Sequence, residues 1–215
     1  MCIKYISKKA NEELIKYVES EGFKVSLVFS ENLVGENISC HPDIFMCKLG
    51  SQDNSFLFKG DCKKLRTDYP GDIRYNAACT GKYFIHNLKY TDPLLLKKAK
   101  EMGMELIDVK QGYTKCSVVV VNENSIITYD QGIARACKKH PELEVLLISP
   151  GFVRLDGFDT GFIGGASGRL GDHIVFNGNL YEHPDFLRIL SFIMKKNLKV
   201  KWFPSYPLTD IGSII

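Results

Sequence analysis

The chain has 215 residues, enough for one domain with a sizeable core. Hydrophobic residues make up 45% and charged residues 25% with a net charge of +3, which excludes a disordered chain and gives no reason to expect a nucleic-acid partner. No stretch approaches the ~18 consecutive apolar residues of a membrane span, and the first residues do not resemble a signal peptide. We therefore predict a single cytoplasmic domain over residues 1–215 with no membrane partner.

Cysteine usage supports the same compartment. The seven cysteines are an odd number without a Cys-x-x-Cys pair, so free thiols in a reducing cytosol are expected. No His-x-His or i, i+4 pair of metal ligands occurs either. The sequence thus predicts neither a metal nor a cofactor.

Taken in chain order, the predicted elements begin with a strand at 2–6, a helix at 8–21 and a strand at 23–29. A hairpin over 41–47 and 55–58 follows, with only a short segment where a helix is expected. These two stretches read as incomplete copies of a unit that recurs more fully downstream.

The fuller copies each consist of a strand, a polar turn, a second strand, a helix and a third strand. Helix-start chemistry is clearest at Thr91-Asp92-Pro93 and His183-Pro184-Asp185. Repetition of one unit predicts an array of similar modules. The three copies span residues 76–109, 117–148 and 161–203.

The chain ends complete the pattern. Residues 210–215 are predicted to form a single first strand. Together with the N-terminal strand and helix they would make one further unit, split between the two ends of the chain. Pairing of the two ends would close a ring of about five units and remove its exposed edges. The predicted fold class is therefore α/β, a pseudo-fivefold β/α-propeller with one blade closed by both termini. The alternative is an ordinary α+β domain whose hairpins are similar by chance.

This layout resembles the pentein superfamily, the β/α-propellers of guanidino-group-modifying enzymes, which also includes a non-enzymatic ribosome anti-association factor. The similar motifs are Pro42-Asp43-Ile44-Phe45, 155–159, 112–117 and 210–213. The resemblance implies a cysteine nucleophile, a histidine that moves protons and carboxylates that bind the guanidinium.

Two alignments with that family remain open. The first keeps the chain ends in place and puts the nucleophile at Ser213, but leaves the histidine and acid roles unfilled. The second alignment is shifted around the ring, so that the chain ends fall at a different blade. It assigns His41 as base and Cys116 as nucleophile, with cation ligands at Asp156 and Asp159. Chain layout favours the first alignment, and chemistry favours the second.

Ionisable residues at the predicted strand starts indicate a site in either alignment. Crowded charges of this kind perturb one another and mark candidate sites. Carboxylates predominate, which favours a cationic ligand, and the basic members can neutralise them or bind a carboxylate. The residues are His41, Asp43, Asp72, Arg74, Lys115, Cys116, Asp156, Asp159 and Asp210.

Structural roles compete with these assignments. Asp43, Asp72 and Asp210 also fit turns, and Cys116 beside four valines also fits a buried core position. The glycine-rich stretch 164–171 lacks the strand–loop–helix context of a phosphate loop, so we interpret it as a hairpin loop over the channel mouth, with Arg169 near a ligand.

Two functions follow from these patterns. In the first, the chain binds or modifies a small molecule with a guanidinium, amidine or amine group, with Cys116 or Ser213 as nucleophile and His41 as proton carrier. In the second, it is a non-enzymatic scaffold for a protein partner. Convergence of His41, a cysteine and two aspartates in a pocket would favour the first.

Overall fold

The computed structural model describes residues 2–30 and 33–215. In these ranges the chain alternates short strands and helices, with 3₁₀ turns at 36–38, 62–64 and 180–182. The elements are β1 Ile3–Ser7, α1 Glu12–Ser20, β2 Lys24–Val28, α2 Pro42–Phe45, β3 Met46–Leu49, β4 Phe56–Lys59, β5 Ala78–Cys79, β6 Tyr83–His86, α3 Pro93–Glu101, β7 Glu105–Asp108, α4 Thr114–Ser117, β8 Val118–Asn122, β9 Ser125–Thr128, α5 Gln131–Cys137, β10 Glu144–Leu147, β11 Ser167–Leu170, β12 His173–Phe176, α6 Phe186–Met194 and β13 Lys199–Lys201.

Three sheets share one topology: an antiparallel hairpin, then a helix that returns the chain to a third, parallel strand. They are β5-β6-β7, β8-β9-β10 and β11-β12-β13. A parallel pairing needs a crossover connection, which α3, α5 and α6 supply. The predicted order of elements within these copies is therefore confirmed. Two smaller sheets are the parallel pair β1-β2 and the antiparallel pair β3-β4.

Side-chain caps explain where two of the three crossover helices, α3 and α5, begin. The Asp92 carboxylate accepts from the backbone N–H groups of Leu94 (2.9 Å) and Leu95 (3.4 Å), and Asp130 accepts from Ile133 (2.8 Å). Such caps satisfy donors that have no partner inside the helix. The start predicted for α3 at Asp92-Pro93 is confirmed.

The predicted closed propeller is wrong. The strands of the described residues form five separate sheets of two or three strands, and none of these sheets closes on itself. The expected strand at 210–215 is also absent, since this segment makes only isolated bridges, such as the one between Gly168 and Ile214. Gly212 (φ 72°) and Ser213 (φ 71°) adopt left-handed backbone, which interrupts an extended strand. The chain ends nevertheless meet, because Tyr5 and Ile215 exchange two backbone hydrogen bonds of 2.9 and 3.1 Å.

Two predicted strands instead begin as helical turns. Residues 42–45 form α2 ahead of β3, and residues 114–117 form α4 ahead of β8. Pro42 suits the first turn of a helix, because its missing N–H would be unpaired there in any case. His41, Asp43, Lys115 and Cys116 therefore lie at or in helical turns and not at strand starts.

The predicted loop over the channel mouth is wrong as well. Residues 167–170 form β11, which pairs with β12. Ser167 is buried in this strand, and Arg169 belongs to it. The glycines at 164 and 165 instead pack beside α4, where Gly165 N–H donates to the Cys116 carbonyl (2.7 Å).

No helix in the described part of the chain is long and apolar enough to cross a membrane.

Candidate functional site

Five polar side chains from distant parts of the sequence converge in the interior. His41 and Asp43 come from the start of α2, Cys116 from α4, and Asp210 and Ser213 from the last segment of the chain. Each is at most 4% exposed. Buried polar groups are costly unless they are paired, so such a cluster is a strong candidate site.

The Asp43 carboxylate is at the centre of the cluster. Its Oδ2 accepts hydrogen bonds from the Cys116 thiol (3.1 Å) and the Ser213 hydroxyl (2.7 Å). The Lys115 ammonium donates in turn to Ser213 Oγ (2.9 Å). Asp43 Oδ1 is buried and has no hydrogen-bond partner among the described residues.

His41 faces the second carboxylate. Its Nδ1 lies 3.8 Å from Asp210 Oδ1, too far for a hydrogen bond, and this nitrogen is buried without a partner among the described residues. Asp210 accepts instead from the backbone N–H groups of Gly212 (2.9 Å) and Phe162 (3.0 Å). Burial raises the pKa of Asp210 to about 6, with Asp43 adding to the rise and His41 opposing it.

The Cys116 thiol is held by Asn76. The Asn76 amide donates to Sγ (3.3 Å), and its oxygen accepts from the N–H groups of Lys115 (2.8 Å) and Cys116 (3.2 Å). Burial raises the pKa of the thiol well above its usual range, and the charges of Asp43 and Asp210 raise it further. At neutral pH this cysteine is therefore a neutral thiol and a weak nucleophile.

Two glycines allow the backbone to approach these side chains. A Cβ on Gly212 would lie 2.1 Å from the His41 Cβ, and one on Gly165 would lie 2.0 Å from Asp210 Oδ1. Neither distance is possible for real atoms. Only glycine therefore fits at these positions without moving the site.

A cavity of about 130 Å³ opens beside the cluster. Its polar surface comes from His41, Cys116 and Asp210, while the other walls are apolar or aromatic. Phe162 packs between Tyr113 and Tyr129, with ring centroids 6.2 and 5.9 Å apart. The remaining lining residues are Ile38, Tyr113, Leu155, Phe158, Thr160 and Phe162. The arrangement suits a compact ligand with one charged end.

The other predicted site residues lie further away. Asp72 is outside the cavity, but its carboxylate accepts a hydrogen bond from the hydroxyl of Tyr113, which lines the cavity. Asp156 lines an adjoining cavity of about 60 Å³ that shares His41 and Asp210, whereas Asp159 lines an open groove outside it.

Three predictions need correction or restriction. Arg169 lines a different cavity, and Arg74 lines neither cavity beside His41. Ser213 is fully buried behind Asp43 and does not line the cavity, so Cys116 is the better placed nucleophile.

Sequence reasoning did not identify Asn76 or the aromatic walls as site residues. Asn76 stands directly before β5, where nothing in the local pattern separates it from a turn residue. Its contacts with α4 span some 40 positions of sequence and become visible only in three dimensions.

The same cluster offers three metal-ligand atoms. One nitrogen of His41, one oxygen of Asp43 and the sulfur of Cys116 all lie within 4.8 Å of one another. Nitrogen, oxygen and thiolate sulfur are the donors that Zn²⁺ prefers.

Comparison with known proteins gives one match. The model of a family of unknown function (DUF6873) matches residues 52–215, which include Cys116 and Asp210 but not His41 or Asp43. No curated protein and no solved structure matches the chain. The resemblance to the pentein superfamily is therefore wrong: the family found is a different one, and the sheets form no propeller.

Proposed function

This chain belongs to the DUF6873 family, and we propose that it binds a compact guanidinium-, amidinium- or amine-bearing molecule in the cavity beside His41, Cys116 and Asp210. The observation that carries the proposal is the buried carboxylate of Asp210 in the cavity lining, with a second buried carboxylate, Asp43, in contact with the lining residue Cys116.

Charge balance favours a cation there. The carboxylates of Asp43 and Asp210 act on a single ammonium, that of Lys115, so one negative charge is left over when both carboxylates are ionised. A monovalent cation would compensate that charge, and low solvent exposure makes the interaction strong. Asp210 would contact the ligand directly, whereas Asp43 would act through its charge, because it is not among the cavity's lining residues.

Cys116 gives the cavity a reactive group. A bound cation would offset the two carboxylates that raise the pKa of the thiol, so the thiolate would form only when a ligand is present. With an amidinium ligand, the sulfur would attack the central carbon and form a C–S bond. His41 would take the proton that the thiol loses and pass it to the departing amine as the C–N bond breaks. Water would then attack the same carbon, which breaks the C–S bond, returns the thiol and releases the ligand as an amide. This chemistry needs a reduced thiol, which favours a reducing compartment such as the cytoplasm.

Ligand-induced stabilisation tests the proposal. We expect methylguanidinium and acetamidinium to raise the melting temperature of the full chain, and neutral acetamide not to. Asp210→Asn should abolish the rise, whereas Asp159→Asn, at the open groove, should retain it. Equal effects of acetamide and acetamidinium, or no effect of any cation, would contradict the proposal and favour the non-enzymatic scaffold.

A divalent transition metal is the second candidate ligand, because His41, Asp43 and Cys116 present three donors within 4.8 Å. Cobalt(II) distinguishes the two candidates, since thiolate coordination produces an intense near-ultraviolet band. A band that saturates at one equivalent and disappears in Cys116→Ala would assign the site to a metal. If no such band forms, the organic cation remains the candidate ligand.

A further inference from the structure

A second cavity is lined by Lys115, and its charged side chains have the opposite sign. It encloses about 30 Å³, and its charged side chains are Lys48, Lys115 and Arg169. No acidic side chain is among its described lining residues. Three cations around one small volume repel one another unless an anion is present.

Lys48 has no counter-ion in the described structure. No hydrogen bond or ion pair to its ammonium group occurs there. The nearest acid, Asp53, is already engaged: its Oδ1 accepts from Lys4 (2.6 Å), and its Oδ2 accepts from the Gly171 N–H (2.7 Å). Burial lowers the pKa of Lys48 well below its usual range, and the charge of Lys4 adds to this effect.

Ser51 supplies an independent indication. Its side chain lines the same cavity, is 3% exposed, and leaves Oγ buried without a hydrogen-bond partner among the described residues. A buried hydroxyl without a partner is costly, so such groups usually meet a ligand or an ordered water.

We propose that this cavity binds one small monovalent anion, of the size of chloride, between Lys48, Arg169 and the Ser51 hydroxyl. Charge complementarity selects an anion over water. The volume of about 30 Å³ is above the ~10–15 Å³ that one water needs but small for a polyatomic anion, so we expect preference for chloride over sulfate, phosphate and carboxylate ligands.

Lys115 connects this anion to the first cavity. It lines the anion cavity, while its ammonium donates to Ser213, which donates to Asp43. An anion would hold Lys115 in its charged form. We therefore expect chloride to weaken cation binding beside His41, and a bound cation to weaken chloride binding by the same factor. This coupling rests on the proposed function, whereas the anion site does not.

The test replaces gluconate by chloride at constant ionic strength. We expect chloride to raise the melting temperature of the full chain in a saturable manner and to show ³⁵Cl NMR line broadening that bromide displaces and sulfate does not. Lys48→Met should abolish both effects, and the exposed Lys89→Met should keep them.

Equal melting temperatures and line widths of wild type and Lys48→Met across the titration would overturn the anion site. Displacement by sulfate as effective as by bromide would overturn its size selectivity. If methylguanidinium fails to bind, the chloride titration still decides the anion site, so the two proposals fail separately.

Discussion

The cavity beside His41 and the cavity lined by Lys115 differ in charge, size and walls. The first, larger one has an acidic end, aromatic walls and a thiol, whereas the charged side chains of the second are all cationic. Burial acts on both, but in opposite directions: it raises the pKa of Asp210 and lowers that of Lys48. The contrast shows that burial alone does not determine which ligand binds. The sign of the charge that has no partner in the protein determines it.

The largest expected effect tests whether the acidic cavity depends on one backbone contact. Gly212→Ala forces a Cβ to within 2.1 Å of His41 at a positive φ of 72°. We expect a loss of about 4 kcal/mol in the free energy of unfolding, measured with urea, because the clash is with a buried residue. Gly22→Ala has a similar φ (85°) but open space around it and should cost only about 1 kcal/mol. Equal losses would show that the contact is not rigid.

The pH dependence of stability in Asp210→Asn tests the acidic cavity beside His41. The pKa of Asp210 is about 6 in the folded protein and 3.8 as its ordinary value, so the folded state holds this proton more tightly. The protonated Asp210 contributes most to stability below pH 3.8, and this contribution is lost as pH rises through 6. Relative to Asp210→Asn, wild type should therefore lose about 2 kcal/mol in the free energy of unfolding between pH 4 and pH 7. Urea unfolding of both proteins at these two pH values measures this. A constant difference would refute the raised pKa.

Lys48→Met tests the basic side. Lys48 is half-buried, and its ammonium has no partner in the described structure, so removing this charge should stabilise the protein at pH 7 by up to about 1 kcal/mol in gluconate buffer. Chloride should reduce the difference in the free energy of unfolding between Lys48→Met and wild type, because it stabilises only the wild type. Lys89→Met should change the free energy of unfolding by less than about 0.5 kcal/mol in both buffers. A destabilised Lys48→Met would indicate that Lys48 has a partner.

The smallest effect concerns thiol reactivity in the acidic cavity. Iodoacetamide at pH 7.5 should label Cys116 at least about tenfold more slowly than the exposed Cys62, since its thiol is buried and neutral. Methylguanidinium should accelerate labelling of Cys116 and leave Cys62 unchanged. Peptide mapping by mass spectrometry reads both sites in one sample. Labelling of Cys116 as fast as that of Cys62 would mean that the thiol is already activated.

Local chemistry made part of this molecule predictable. Asp92 and Pro93 specify a helix start within three residues, and hairpins such as β8–β9 pair residues close in sequence. Of the nine residues predicted around one site, His41, Asp43, Cys116 and Asp210 lie close together, whereas Arg74 lines neither cavity beside them.

Long-range geometry was not predictable in the same way. How the sheets associate depends on contacts between distant residues, so a repeated unit did not reveal that the sheets stay separate. The left-handed backbone at Ser213 departs from the usual preference of serine, and no local signal announces it. The helical turns at 42–45 and 114–117 are single turns, too short for a periodic pattern.

The hydrogen bonds between Tyr5 and Ile215 have a consequence for folding. They hold the segment that carries Asp210 and Ser213 against β1, although the two partners are far apart in sequence. Contacts between distant residues are slow to form, because the long intervening chain must first be brought together. We therefore expect His41, Asp43 and Cys116 to acquire their complete surroundings only at a late step of folding.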